Sequence, residues 1–421
     1  MQKILFSFFF VLAFNQAFGQ LANYNISEYL YPDVSRTVFS ILPDLNYEND
    51  KFYSDTKSSR LDLSTGVYFK KLLNSRKKQT ETAFSLTGIF TSILEDEVKN
   101  NYSQLGYAVF VKNRYFRKEN RYIELGFNSW GRQSLDWISK ENKQAYNYSY
   151  HTVSPRLGWG RIELVSDSWH AWSILRALEK QGYLKRELTN EEINQFAAEI
   201  SRIKNFRNSD GRLEDIMEYK ALFNYIVDNE IIDTKQVESF AILKDAYEFE
   251  DFTIRRSGNS FEIGLNLIGQ FEKINLDQSR YQGYFLGIVA EYESRKVLNN
   301  IFQLDQVYTF TTGSWNINRS NETTFDDFLY TQFNADWTIG YYPSQRTNLN
   351  IGPFFNYTFI DGFGGTNLNT GLSINAAYYF SPKLQLSLRG RLRMYGNNDI
   401  QDEFLENYLS SVDLNVSYFI R

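Results

Sequence analysis

His151 and His170 are the only imidazoles in 421 residues, and there is no cysteine. A nucleophilic serine needs a histidine within hydrogen-bond reach and a third group to orient the ring. Ser149 and Ser154 stand near His151, but successive strand residues point to opposite faces, so closeness in sequence assembles no dyad. His170 sits beside Trp169 and Trp172 in a segment of helical period, where it reads as a surface or packing residue. Without cysteine, disulfides, thiolate metal sites and cysteine nucleophiles are excluded. There is no HExxH, phosphate-loop or EF-hand pattern, and Gly362-Phe-Gly-Gly365 reads as a loop tip. The expectation is a chain that is not an enzyme, with no catalytic residue, metal or cofactor.

Charge at alternate positions offers a different chemistry. In the run Leu384–Met394, Leu384, Leu386, Leu388, Leu392 and Met394 share one face, while Gln385, Ser387, Arg389, Arg391 and Arg393 share the other. The closing run places Val412, Leu414, Val416, Tyr418 and Ile420 against Asp413, Asn415, Ser417, Phe419 and Arg421. Alternation also assigns Arg60, Asp62, Lys70, Lys112, Arg114, Glu124, Glu262, Glu272, Glu291, Glu293 and Asp336 to polar faces. Buried charge must be solvated or paired, and a water-filled interior supplies solvation. The lumen-lining candidates are Arg389, Arg391, Arg393, Asp413, Asp336, Glu262, Glu291, Lys112 and Arg114. Two readings stay open: a basic stripe that draws anionic solutes, or ion pairing across the lumen that stiffens the wall.

The elements that must position these charges are strands. About six are expected before the middle of the chain, near 36–47, 59–71, 82–95, 102–117, 121–134 and 146–163. About eight follow, near 260–275, 281–297, 303–318, 328–342, 347–360, 369–381, 383–396 and 409–420. The sixth and the 303–318 strand alternate less cleanly. Short turns fall at Arg117–Asn120, Pro343–Arg346 and Ser381–Lys383, and longer polar loops at 48–58, 135–145, 319–327, 361–368 and 397–408. Short turns belong to the periplasmic end of an exported barrel.

Residues 166–246 leave the two-residue period for a helical one. Ala171, Ile174, Leu175 and Leu178 form a first stripe, capped by Ser166 or Asp167 and ended by Gly182. Thr189-Asn-Glu-Glu192 is a capping box that opens a second, with Ile193, Phe196, Ala197, Ile200 and Ile203. A third carries Leu213, Ile216, Phe223 and Val227 behind Ser209 or Asp210, and a fourth carries Val237, Phe240 and Ala241 behind Thr234. Residues 1–19 read as a secretory signal: Lys3, the apolar run Ile4–Phe14, then Ala17 and Gly19 before a start near Gln20. The expected organisation is a signal at 1–19, a first part of the barrel at 20–165, the helical insert at 166–246 and a second part at 247–421. No apolar run is long enough for a transmembrane helix. The net charge of −5 without a basic stripe argues against nucleic acid as a partner. The 30 Tyr and 35 Phe suit aromatic girdles at membrane interfaces.

With a signal segment, alternating strands over 36–163 and 260–420, and the terminal strand Val412–Arg421, the chain resembles the Gram-negative outer-membrane β-barrel superfamily. The resemblance implies a mainly β chain: an antiparallel transmembrane β-barrel of about 14 strands with an inserted α-helical subdomain. It implies outer-membrane lipid as solvent and the barrel-assembly machinery as a partner of the last strand. Tyr418 and Phe419 suit that role, while Arg421 stands where a final aromatic is usual. The first functional expectation is a channel for small hydrophilic solutes, partly gated by a periplasmic insert. The alternative is an anchored scaffold or secretion accessory that docks a periplasmic protein through the insert. A lipid-modifying enzyme is a distant third.

Overall fold

The computed structural model describes residues 20–51, 57–95, 98–137, 143–205, 211–232, 237–249, 254–274, 280–319, 326–361, 365–381, 384–397 and 408–418. The expected signal segment, the tips of the longer loops, the Gly362–Gly364 tip, the caps proposed at Ser209, Asp210 and Thr234, and Phe419–Arg421 lie outside these residues.

The chain is mainly β. Six strands come first: β1 (Val34–Lys51), β2 (Lys57–Asn74), β3 (Lys78–Glu95), β4 (Val98–Lys118), β5 (Arg121–Trp137) and β6 (Lys143–Leu164). Four helices follow: α1 (Ser166–Lys180), α2 (Asn190–Asn205), α3 (Gly211–Asp228) and α4 (Val237–Tyr247). Eight more strands complete it: β7 (Arg256–Ile274), β8 (Arg280–Val297), β9 (Phe302–Arg319), β10 (Asp326–Ser344), β11 (Thr347–Ile360), β12 (Gly365–Ser381), β13 (Leu384–Asn397) and β14 (Tyr408–Tyr418). All fourteen pair antiparallel, each with its sequence neighbour, in one sheet. β6 and β7 pair directly, so the helices are inserted at one turn without breaking the sheet. Among the described residues no ladder joins β14 back to β1.

Several strands run past their expected ends. β1 was expected over 36–47 but pairs from Val34 to Lys51, because Glu48–Lys51 keep their ladder with Lys57–Arg60. Apolar alternation marks only the part of a strand whose two faces see different surroundings, and the hydrogen bonds extend beyond it. The turns on the insert side are tight. Ser75 N–H donates to Lys78 O at 2.8 Å, and Lys78 N–H donates to Ser75 Oγ at 3.0 Å. Asn299 Oδ1 accepts from the N–H groups of Ile301 and Phe302, the Asx geometry that reverses a chain in few residues.

The sheet curls. β2 and β6 are four strand spacings apart, roughly 19 Å along a flat sheet. Yet Arg161 at the end of β6 donates to Asn74 Oδ1 at 3.2 Å and to Ser75 O at 3.0 Å, and Arg76 pairs with Glu163 at 2.8 Å. A side chain cannot bridge that distance unless the wall folds back on itself.

The helical stripes pack on each other. Ala171, Ile174, Leu175 and Leu178 of α1 and Ile193, Phe196, Ala197, Ile200 and Ile203 of α2 are all buried in one core. Each large side chain fully removed from water contributes about 1.5–3 kcal/mol. The capping box closes as expected: Thr189 N–H donates to Glu192 Oε2 at 2.8 Å, and Glu192 N–H to Thr189 Oγ1 at 3.2 Å. Gly182 ends α1 at φ +76°, where a Cβ would be strained.

Three local expectations are corrected. The N-cap of α1 is Val165, with no side-chain cap bond, because Asp167 is turned inward to an ion pair. On α3 the buried face is Tyr219, Leu222, Phe223 and Ile226, while Ile216 is 61% exposed. On α4 it is Leu243 and Tyr247, while Val237 is 81% exposed. In both helices the stripe is rotated, because Tyr219 and Tyr247 bury their rings against each other at 5.8 Å, and Tyr247 O–H donates to Glu218 at 3.2 Å.

Candidate functional site

The two faces of the sheet have opposite chemistry, and the inner one is charged. On β7, Phe261, Ile263, Leu265 and Leu267 are 39–47% exposed on the outer face, while Glu262 between them is 1% exposed. Leu286 and Ile288 on β8 and Leu157 on β6 repeat the exposed apolar face.

Glu262 is the centre of a network spread over five strands. Arg114 pairs with it and donates from Nε to Glu124 Oε2 at 2.8 Å. Lys112 Nζ lies 3.1 Å from Glu124 and 3.7 Å from Glu262. Arg156 Nη1 donates at 3.1 Å to both Glu262 and Glu291. Tyr122 O–H donates to Glu262 Oε1 at 2.7 Å, and the Arg114 guanidinium lies 5.0 Å over the Tyr122 ring. Three cations thus meet three carboxylates, which is how buried charge escapes an unpaired desolvation penalty. Gly158 makes room for Tyr122, since a Cβ there would lie 2.2 Å from its ring. Towards the insert, Arg295 continues the pairing, at 2.6 Å to Glu293 and 2.8 Å to Asp305.

Of the residues expected to line the lumen, Lys112, Arg114, Glu262 and Glu291 are brought together here. Arg389, Arg391, Arg393, Asp413 and Asp336 lie on another wall, β10 and β13–β14. Arg389 stands opposite Asp413 in the β13–β14 register. The Arg391 guanidinium lies 4.5 Å over the Phe354 ring, within electrostatic reach of Asp336. Sequence reading missed Arg156 and Tyr122. Arg156 lies on the strand whose alternation is unclear, because β6 turns Tyr146, Tyr148 and Tyr150 to the same inner face.

The helical body closes the turn end of the sheet. Residues 20–34, not expected to take part, lay Leu21, Tyr24, Ile26, Tyr29, Tyr31 and Val34 into the helical core. Tyr24 O–H donates to Asn194 Oδ1 and also shares a hydrogen bond with Ser168 Oγ, both at 2.7 Å, and burial pushes its hydroxyl up to about 12. Arg255, just before β7, is fully buried. It donates to Asn300 O at 2.6 Å, to Asn299 O and Phe302 O at 3.3 Å, and to Gln303 Oε1 at 3.3 Å. Its guanidinium lies 5.7 Å over Trp169 of α1 and 4.9 Å over Tyr342 of β10. Burial lowers its pKa to about 10, still charged at neutral pH. Arg346 of the β10–β11 turn pairs with Asp245 of α4, and Phe249 packs against Tyr379 of β12 at 6.4 Å. The insert is therefore fastened to turns around the rim, leaving a cavity of about 360 Å³ between Asp167 and Lys204 on its side and Lys70, Glu81 and Arg114 on the wall.

Inside the insert, Lys204 Nζ donates to Asp167 Oδ1 at 2.7 Å and to His170 Nδ1 at 3.1 Å. Burial opposes ionisation of Asp167, but Lys204 and His170 outweigh it and hold the carboxyl well below the usual range. His170 is fully buried, a packing residue and not a surface one. His151 bonds through Nδ1 to Ser129 Oγ at 2.8 Å, its partner in the β5–β6 register, beside Phe271 at 6.0 Å. By strand parity this pair shares the outer apolar face with Val153 and Leu157. Among the described residues no group of three or more His, Cys, Asp or Glu side chains could hold a metal ion, and no helix is long and apolar enough to cross a membrane.

No family model and no curated protein matches the chain. Among solved structures it is similar to the translocator domain of the autotransporter NalP from Neisseria meningitidis, at 8% identity over 84% of this chain and 91% of that one, with a TM-score of 0.31. It is similar to the alcaligin outer membrane receptor FauA from Bordetella pertussis, at 8% identity over 94% and 66%, with a TM-score of 0.35. It is also similar to the ferric yersiniabactin uptake receptor FyuA from Yersinia pestis, at 8% identity over 89% and 62%, with a TM-score of 0.31.

Proposed function

We propose that the chain is an outer-membrane barrel whose polar lumen passes small hydrophilic solutes, with the helical insert and residues 20–34 forming a periplasmic floor that narrows the passage. The observation that carries this reading is the inversion on β7, where apolar side chains are exposed and Glu262 is buried in an ionic network. A soluble sheet does the opposite, whereas lipid outside and water inside stabilise both faces. Closure of β14 onto β1 belongs to this reading, because a bilayer offers no partner for open strand edges. The β4–β8 wall is charge-neutral, so ion selectivity falls to Arg389, Arg391 and Arg393 on β13.

The test is single-channel conductance in planar bilayers, comparing the intact protein with a variant lacking residues 168–245. The reading expects small, anion-favouring conductance in the intact protein and a larger one after deletion. A folded barrel silent in both forms contradicts it. A second reading, docking of a periplasmic protein on the insert, is favoured by the exposed side chains of Ile216, Met217 and Val237. Silence in both forms would turn attention there.

A further inference from the structure

Aromatic side chains stand inside the lumen, where a girdle at the lipid interface has no use for them. Trp130 on β5 pairs in register with Tyr150 on β6, and their rings are 5.9 Å apart. The Tyr148 ring lies 4.7 Å from Trp130, tilted by 35°. These residues share the parity of Glu124 and Arg156, hence the inner face. Trp159, Trp337 and Tyr308 lie on the outer face, where girdle aromatics belong. Trp130 is nonetheless 42% exposed. Its stack with Tyr148 contributes about 0.5–1.5 kcal/mol, but packing alone leaves the exposed part of the indole unexplained.

Beside these rings is a recess of about 370 Å³, lined by Trp130, Tyr146 and Tyr148 with Ser85, Thr87 and Gln104. Gly106, Ala108 and Gly131 keep it open, and a Cβ at Gly106 would lie 2.9 Å from Thr87 Oγ1. Tyr102 O–H donates to Gln104 Oε1 at 2.5 Å, so the amide presents its NH₂ group as donor. The one cation of the recess, Arg132, lies 5.3 Å over the Tyr146 ring, and Glu272 reaches the same hydroxyl. Charge is thus balanced locally. A free anion would find no dominant positive field, while a neutral ligand with an apolar face and a rim of hydroxyls finds both its partners. Along β5, Trp130 lies roughly 30 Å from the insert-side turn at about 3.3 Å per residue, so the recess sits near mid-strand, clear of the helices.

We propose that this recess binds neutral saccharides, a pyranose ring lying on Trp130 with its hydroxyls met by Gln104, Thr87, Ser85 and Arg132. The site deepens the channel reading, since it requires a lumen filled with water. Its test is isothermal titration of the full-length protein in an amine-oxide detergent, because alkyl-maltoside detergents would compete. The probes are maltohexaose, cellohexaose and chitohexaose. At least one is expected to bind, at least tenfold more weakly to Trp130→Ala and several-fold more weakly to Gln104→Ala, with Trp159→Ala on the outer face unchanged. Folded protein that binds none of the three, or binding that both lumenal variants leave intact, overturns the site. Conductance of the same sample separates the two readings. Sugar binding by a silent protein contradicts the channel and keeps the site; conductance without sugar binding does the reverse.

Discussion

The helical insert and the sheet sort the same residue types in opposite directions. In the insert, Trp169, Leu175, Phe196 and Ile200 are buried, and the charged side chains of Arg186, Glu192 and Arg202 face outward. In the sheet, Glu124 and Glu262 are buried, and Leu157, Leu265 and Leu286 face outward. On the proposed reading, one chain is fitted to two solvents. Helices inserted at a single turn keep a water-soluble sorting, while the strands on either side carry the inverse one, the sorting that the proposed lipid surroundings would require. A buried ionic group within the insert shows how strict its rule is: Asp167 is held charged by Lys204 and His170, which reach it.

That exception gives the largest expected effect. Lys204→Met leaves Asp167 buried without its cation and should destabilise the insert by about 3–5 kcal/mol, with most of the loss recovered in Asp167→Asn/Lys204→Met. Urea unfolding followed by protease sensitivity of residues 166–247 checks it. Full recovery failing in the double variant would mean that the lost packing matters more than the charge. The same pair sets a pH dependence. A carboxyl depressed in the folded state contributes stability fully present above the unfolded value of about 3.9 and lost as pH falls toward the folded value. Insert stability should therefore hold constant from neutral pH down to about 5 and fall below about 4. In Asp167→Asn/Lys204→Met the acid limb should shrink.

Next in size is a contrast between adjacent residues of one strand. Leu265→Arg places charge on the outer face near mid-strand and should cost about 2–4 kcal/mol of folding into lipid vesicles. Asn266→Arg faces the lumen and should cost less than about 1 kcal/mol beyond its hydrogen bond with Ser154. Equal costs would erase the distinction between the faces. Smaller again, Glu262→Gln should cost about 1–3 kcal/mol and leave the lumen one negative charge short. Reversal potentials under a salt gradient should move toward anions. The smallest effect belongs to the exposed capping box, where Thr189→Ala should lower insert stability by about 0.5–2 kcal/mol.

The sheet was legible because its period is short and local. Phe261, Ile263, Leu265 and Leu267 against Glu262, Gly264 and Asn266 state a face within one segment. The stripes of α1 and α2 were legible for the same reason, and so was the capping box. The stripes of α3 and α4 were not, since Tyr219 and Tyr247 choose their faces by packing against each other across the chain. The charged network was half legible. Parity marked Lys112, Arg114 and Glu262 as inward, but their convergence depends on a five-strand register that no single segment encodes. Residues 20–34 carry no period at all, and the role of Arg255 is set by carbonyls 44–48 residues away.

Whether the outer face sees lipid and the inner face water can be tested directly, because the chain has no native cysteine. Single cysteines at Leu157, Leu265 and Leu286 and at Asn266, Gln270 and Glu291 would be placed in the protein reconstituted in lipid vesicles and exposed to a small charged thiol reagent. Rapid labelling of the second set is expected, with protection of the first until the bilayer is dissolved. Rapid aqueous labelling of the outer positions, with the inner ones protected, would contradict it.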